Sequence, residues 1–134
     1  MSRQILLAFV AGFLAVLCFH QPVVGLLNAY GVIPFAPYST SPVAPLGVPA
    51  WFSASFWGGV WGLVMVLLFA MRRITTGGWW KAGLFGGLAL TLVAMLVVFP
   101  LKGRGIDPAV FPIGFLVNGA WGIGTWMFVR AWRH

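Results

Sequence analysis

Residues 56–65 read FWGGVWGLVM and residues 116–126 read LVNGAWGIGTW, so a tryptophan enclosed by glycines occurs twice in apolar surroundings. Helices in a membrane associate mainly by close packing, and small residues four positions apart let two backbones approach. The two stretches therefore predict two helices that pack through glycine, with each tryptophan near the contact. The alternative is a pair of tryptophans that face lipid. The predicted packing residues are Gly58, Trp61, Gly62, Gly119, Trp121 and Gly122.

The composition of the whole chain indicates the solvent in which these helices lie. Of the 134 residues, 61% are hydrophobic and 7% are charged, and the mean hydropathy is +1.00. Soluble domains carry roughly 25% charged residues. The chain is therefore predicted to be a single all-α transmembrane domain over residues 1–134. Four stretches reach the roughly 20 apolar residues that a crossing needs, at about 4–22, 52–71, 80–100 and 110–130.

Basic residues predict the orientation of the four spans, because cytoplasmic loops carry the excess of Lys and Arg. Six of the eight basic residues fall on one side of this topology: Arg3, Arg72, Arg73, Lys81, Arg130 and Arg133. Both termini are therefore expected in the cytoplasm. The proline-rich loop 23–50, which has no charged residue, is expected outside. Pro22 and Pro100 are expected to end the first and third helices.

The two halves of the chain resemble each other. Arg3 to Pro22 matches Lys81 to Pro100, and PAWF at residues 49–52 matches PAVF at residues 108–111. These matches predict two helical hairpins related as a parallel repeat, with a two-fold axis along the membrane normal. Chance similarity between apolar segments is the alternative.

Polar residues in or near the spans are candidates for function, because a polar group in lipid needs a partner. His20 and Gln21 end the first span, and Asn118 and Thr125 share one face of the fourth with Trp121. Interhelical hydrogen bonding is the expected role, with ligand binding as the alternative. No metal or other cofactor is expected, because the second histidine, His134, lies on the opposite side of the membrane.

A second candidate site lies in the loop after the third span. Lys102 and Arg104 flank Gly103 there, and such a basic, flexible segment could hold a lipid phosphate or another anion. Their alternative role is to extend towards lipid headgroups. The basic residues are scattered, without a basic face interleaved with aromatics, so binding to nucleic acid is not expected.

Several short motifs together resemble a family of small uncharacterised bacterial inner-membrane proteins with four predicted helices. The motifs are FHQP at 19–22, GVPA at 47–50, FWGGVWG at 56–62, PLKG at 100–103 and NGAWGIG at 118–124. The resemblance implies membrane location and helix count, and it brings no functional residues with it.

Three classes of function remain open on the sequence. The expected one is an accessory membrane protein that associates with itself or with a larger membrane complex. The alternative is a small transporter or channel for a neutral or hydrophobic solute. An enzyme acting at the outer face is the third, and no recognisable catalytic arrangement supports it.

Overall fold

The computed structural model describes residues 2–34, 36–43, 46–71, 78–98, 100 and 107–132. The described chain is mostly helical, which confirms the all-α prediction. Helix 1 extends from Ser2 to Ala29 and consists of Ser2–Ala15, Val16–His20 and Gln21–Ala29. Helix 2 is Ala50–Met71, and helix 4 is Val110–Trp132. Helix 3 extends from Gly78 to Val98 and consists of Gly78–Phe85, Gly86–Leu90, Thr91–Val93 and Ala94–Val98. The segments Val16–His20, Gly86–Leu90 and Ala94–Val98 are π-helical.

Three of these helices are long and apolar enough to cross a membrane: Arg3–Ala29, Ala50–Leu68 and Gly78–Val98. Helix 4 has the length, since its 23 residues extend about 34 Å at 1.5 Å per residue. Its glycines, its tryptophans and Asn118 make its sequence less hydrophobic. The structure therefore gives three candidate membrane spans where the sequence predicts four.

Helix 1 does not end at Pro22, contrary to expectation, and continues to Ala29. The π-helical segment before the proline explains how. The Gln21 N–H donates to the Val16 carbonyl, five residues back, and Pro22 has no N–H. The Leu17 carbonyl is thereby left without a helical donor, and the Tyr38 hydroxyl donates to it at 2.6 Å. A side chain from the following loop thus replaces the hydrogen bond that the proline removes.

The loop between helices 1 and 2 is folded back on the bundle. Gly31 and Gly47 adopt positive φ angles at its turns, and strands β1 (Pro42–Val43) and β2 (Val48–Pro49) form a short antiparallel pair. Pro37 packs over Gly25 of helix 1, where a Cβ atom would lie 3.1 Å from the proline ring. The loop is therefore part of the folded unit.

The helices pack in the order 2, 1, 4, 3. Helix 1 packs closely on helices 2 and 4, and helix 3 packs on helix 4. Helices 2 and 3 stand further apart and meet through the rings of Trp61 and Phe85, whose centroids are 6.4 Å apart. The buried core of the four-helix bundle includes Val16, Met65, Ala82 and Trp121.

Candidate functional site

Glycines form the contact between helices 1 and 2. A Cβ atom on Gly12 would overlap the backbone carbonyl of Gly58, and one on Gly62 would lie 2.8 Å from the Ala8 carbonyl oxygen. The two backbones are therefore as close as residues without side chains allow. Gly58 and Gly62, which the sequence singles out, both lie at this contact.

The contact between helices 3 and 4 has the same form with different residues. A Cβ on Gly122 would overlap the Ala82 carbonyl, and a Cβ on Gly86 would overlap the Asn118 carbonyl. The spacing of small residues on helix 3 fits Gly83 and Gly87, one position further along, equally well. In the structure, the side chains of Ile123 and Phe115 pack against Gly83 and Gly87, so these two glycines are not at the backbone contact.

Trp121 joins the two hairpins. Its side chain is fully buried, and its indole N–H donates to the Gly12 carbonyl on helix 1 at 3.0 Å. The indole nitrogen also lies 3.1 Å from where a Gly58 Cβ would be. Trp121 therefore fills the space where helices 1, 2 and 4 meet, and the glycines of helices 1 and 2 make that space.

Trp61 occupies the corresponding place on helix 2 but is only half-buried. It contacts the ring of Phe85, the residue before Gly86 on helix 3. The two glycine-enclosed tryptophans therefore both reach the other hairpin, and Trp121 is the more deeply enclosed of the two.

A set of polar side chains links the loop to three helices. The Tyr38 backbone N–H donates to Gln21 Oε1 at 2.8 Å, which fixes the Gln21 amide and turns Nε2 towards His20 Nδ1, 3.2 Å away. An amide NH₂ can only donate, so His20 Nδ1 is the acceptor. A neutral His20 then carries its proton on Nε2.

The same set continues into the bundle through Asn118. The Asn118 side chain interacts with His20, and its Nδ2 donates to Thr91 Oγ1 at 3.0 Å. We call the series Tyr38, Gln21, His20, Asn118 and Thr91 the polar chain. It connects the loop, helix 1, helix 4 and helix 3, and every buried polar side-chain atom in the described residues has a hydrogen-bond partner.

Thr125 lies outside the polar chain. Its side chain is fully buried, and its hydroxyl donates to the Trp121 carbonyl one turn back on the same helix at 2.9 Å. Such a bond satisfies the hydroxyl within its own helix. Of the four polar residues that the sequence singles out, His20, Gln21 and Asn118 are brought together, and Thr125 is separate.

Lys102 and Arg104, the candidate anion or headgroup contact, lie outside the described residues. Within the described residues, His, Cys, Asp and Glu side chains do not form any group of three or more that could hold a metal ion.

Tyr38 anchors the loop to helix 1, and the sequence does not single it out for this role. Its φ of +55° places it in the left-handed region, unusual for a residue with a bulky side chain. That conformation lets its backbone N–H reach Gln21 while its hydroxyl reaches Leu17. Among the prolines of the loop nothing distinguishes Tyr38 in sequence, because its partners are 17 and 21 positions away.

Tyr38→Phe is expected to loosen the loop from helix 1. The substitution removes the donor to the Leu17 carbonyl, and because this hydrogen bond is exposed we expect a cost of about 0.5–1.5 kcal/mol. We expect lower stability in detergent and faster amide hydrogen exchange over residues 36–43. Tyr30→Phe is the matched control, since Tyr30 is 79% exposed. Equal exchange rates in both variants would contradict the anchoring role.

An apolar groove lies on the outside of the hairpin formed by helices 3 and 4. It has a volume of about 340 Å³. Its lining residues are Trp79, Trp80, Gly83, Leu84, Phe115, Leu116, Gly119, Ala120 and Ile123. Gly119, one of the predicted packing residues, lies here: a Cβ there would meet only the Gly83 carbonyl oxygen, at 3.4 Å.

Comparison with known proteins adds no further assignment: no protein-family model, no curated protein and no solved structure matches the chain.

Proposed function

We propose that the chain is a four-span protein of a bacterial inner membrane that associates with a second copy of itself as an accessory membrane protein. Both termini are placed in the cytoplasm in this proposal, since six of the eight basic residues fall on that side. Helix 4 is included as a span because it packs along helices 1 and 3, both of which are apolar enough to cross.

The glycine contacts support the proposed repeat of two hairpins. Gly12 and Gly62 of the first hairpin correspond to Gly86 and Gly122 of the second. Gly62 and Gly122 each face an alanine carbonyl, and Gly12 and Gly86 each face another backbone carbonyl of the partner helix. Matching Arg3 with Lys81 would instead pair Gly12 with Leu90. The contacts therefore favour a register one helical turn away from the one that the sequence suggests.

One observation carries the proposed self-association: an aromatic band across helices 1 and 2. It consists of Phe9, Phe13, Trp51, Phe52, Phe56 and Trp57. The ring centroids of Phe9 and Phe56 are 5.8 Å apart, and those of Phe13 and Phe52 are 6.0 Å apart. Phe52, Phe56 and Trp57 are between 41% and 57% exposed.

A second copy suits this band for two reasons. Two-fold dimers use the same patch on both subunits, so one aromatic surface supplies both sides of the contact. The band also has no charged residue, so two chains of net charge +7 can meet there without like charges facing each other. Aromatic pairs add about 0.5–1.5 kcal/mol beyond the area that they bury.

Substitution of the band tests the proposal. The double variant Phe56→Ala, Trp57→Ala is expected to raise the dimer dissociation constant in liposomes at least about tenfold, or about 1.4 kcal/mol, by losing two aromatic contacts. Single-molecule photobleaching over a range of protein-to-lipid ratios measures the constant. Leu92→Ala, Leu96→Ala is the control, because both leucines are exposed on helix 3.

A wild-type chain that stays monomeric at every ratio, or a control that weakens the dimer equally, would refute self-association through the band.

The alternative function is transport of a neutral or hydrophobic solute, and the polar chain across helices 1, 4 and 3 is the observation that favours it. Flux of an uncharged solute into liposomes that hold the purified protein would support that alternative instead.

A further inference from the structure

The groove between helices 3 and 4 has a counterpart in the first hairpin, and there the chain fills it. A Cβ on Gly59 would lie 2.7 Å from the ring of Phe9, so that ring covers the glycine. In the register of the glycine contacts, Gly59 corresponds to Gly119 and Phe9 corresponds to Gly83. The second hairpin therefore has glycine where the first has a phenylalanine ring, and its groove stays open.

The open groove begins beside a basic residue. Trp79 and Trp80 line it at the start of helix 3, and Lys81 Nζ lies over the Trp80 ring, 5.5 Å from its centroid. Arg130 stands over Trp126 at 5.1 Å, and Trp126 packs against Gly78 at the same end of helix 3. Two cations held on tryptophan rings thus stand at one end of an apolar groove.

From these features we infer that the groove binds one anionic phospholipid of the leaflet at this end of the bundle. One acyl chain occupies the groove over Gly83, Gly119 and Ala120, and the phosphate lies near Lys81. Tryptophan is common at the headgroup level of membranes, and each nearby Lys or Arg contributes attraction to anionic lipid. The inference rests on the proposed membrane insertion and is independent of self-association.

Charge at the mouth of the groove gives the first test. Protein extracted in mild detergent is incubated with equal amounts of dioleoyl phosphatidylglycerol and dioleoyl phosphatidylcholine, and native mass spectrometry counts the retained lipids. We expect phosphatidylglycerol to be preferred, and Lys81→Gln to reduce its retention about fivefold. Arg3→Gln is the control, because Arg3 is exposed at the same end on helix 1. Equal losses in both variants would overturn the site.

Filling the groove gives the second test. Ala120→Leu places a larger side chain in the groove and is expected to reduce retention of phosphatidylglycerol, while Val97→Leu, on an exposed part of helix 3, is expected to leave it unchanged. If Ala120→Leu does not fold, Leu84→Trp serves, since Leu84 also lines the groove. Unchanged retention in a folded filling variant would overturn the inference.

The remaining outcomes separate this inference from the proposed function. A dimer of the wild type that Ala120→Leu dissociates would mean that a second copy occupies the groove, which overturns the lipid site. Recovery of the chain in the soluble fraction would refute membrane insertion itself. Protein extracted from membranes that shows no preference between the two lipids would refute the lipid site alone.

Discussion

Gly122→Ala is expected to lower the stability of the protein by about 3 kcal/mol, at the upper end for overpacked sites. The added methyl group would overlap the Ala82 carbonyl, and neither atom belongs to a side chain that can rotate away. Helices 3 and 4 would have to separate. Equilibrium unfolding of the purified protein in mixed micelles measures the loss, with helical circular dichroism as the signal.

Gly119→Ala is the control for this substitution, in the same helix and three positions earlier. Its methyl group would meet one carbonyl oxygen at 3.4 Å, an ordinary contact, beside the open groove. We expect a change below about 1 kcal/mol, and a slight stabilisation is compatible with the higher helix propensity of alanine. Equal losses at Gly119 and Gly122 would mean that the helix 3 to helix 4 distance does not depend on Gly122.

Trp121→Ala is expected to cost about 4 kcal/mol, as for other large buried aromatic residues. The variant loses the hydrogen bond to the Gly12 carbonyl and leaves a cavity where helices 1, 2 and 4 meet. Trp61→Ala is expected to cost about half as much, because Trp61 is half-buried and contacts one ring of helix 3. Chemical unfolding of both variants under the same conditions checks the difference.

Equal losses at the two positions would contradict the structure and would favour the simpler interpretation in which the two motifs have the same role. If Trp121→Phe is as stable as the wild type, the stability lost in Trp121→Ala comes only from the space that the ring fills. Partial restoration would assign the remainder to the indole N–H and its bond to Gly12.

Hydrophobicity and spacing predict the helices well, because both depend on residues that are close in sequence. Helix 2, Ala50–Met71, includes the whole predicted span 52–71, and helix 4, Val110–Trp132, includes the whole predicted span 110–130. The end of helix 1 could not be predicted in this way. It depends on a hydroxyl group 21 positions away, which replaces the donor that Pro22 lacks.

The helix faces show a second limit of sequence reasoning. Gly83 and Gly87 have the same spacing as Ala82 and Gly86, and a shift of one residue turns a helix by about 100°. Only the partner helix distinguishes the two faces, because Ile123 and Phe115 fill the space beside the first pair. The polar chain could not be predicted from the sequence either, because its members are far apart along the chain: Asn118 and Thr91 are separated by 27 positions.

The hydrogen bond from Trp121 to Gly12 joins residues 109 positions apart, from the last described helix to the first. During synthesis, at roughly 5–20 residues per second, Trp121 is added about 2.5–10 seconds after Met71, the last described residue of the first hairpin. Through that interval the helix 1 surface that later receives helix 4 is uncovered. Packing of helix 4 on helix 1 is therefore a late step of biogenesis, and the hydrogen bond from the Trp121 indole to Gly12 forms in that step.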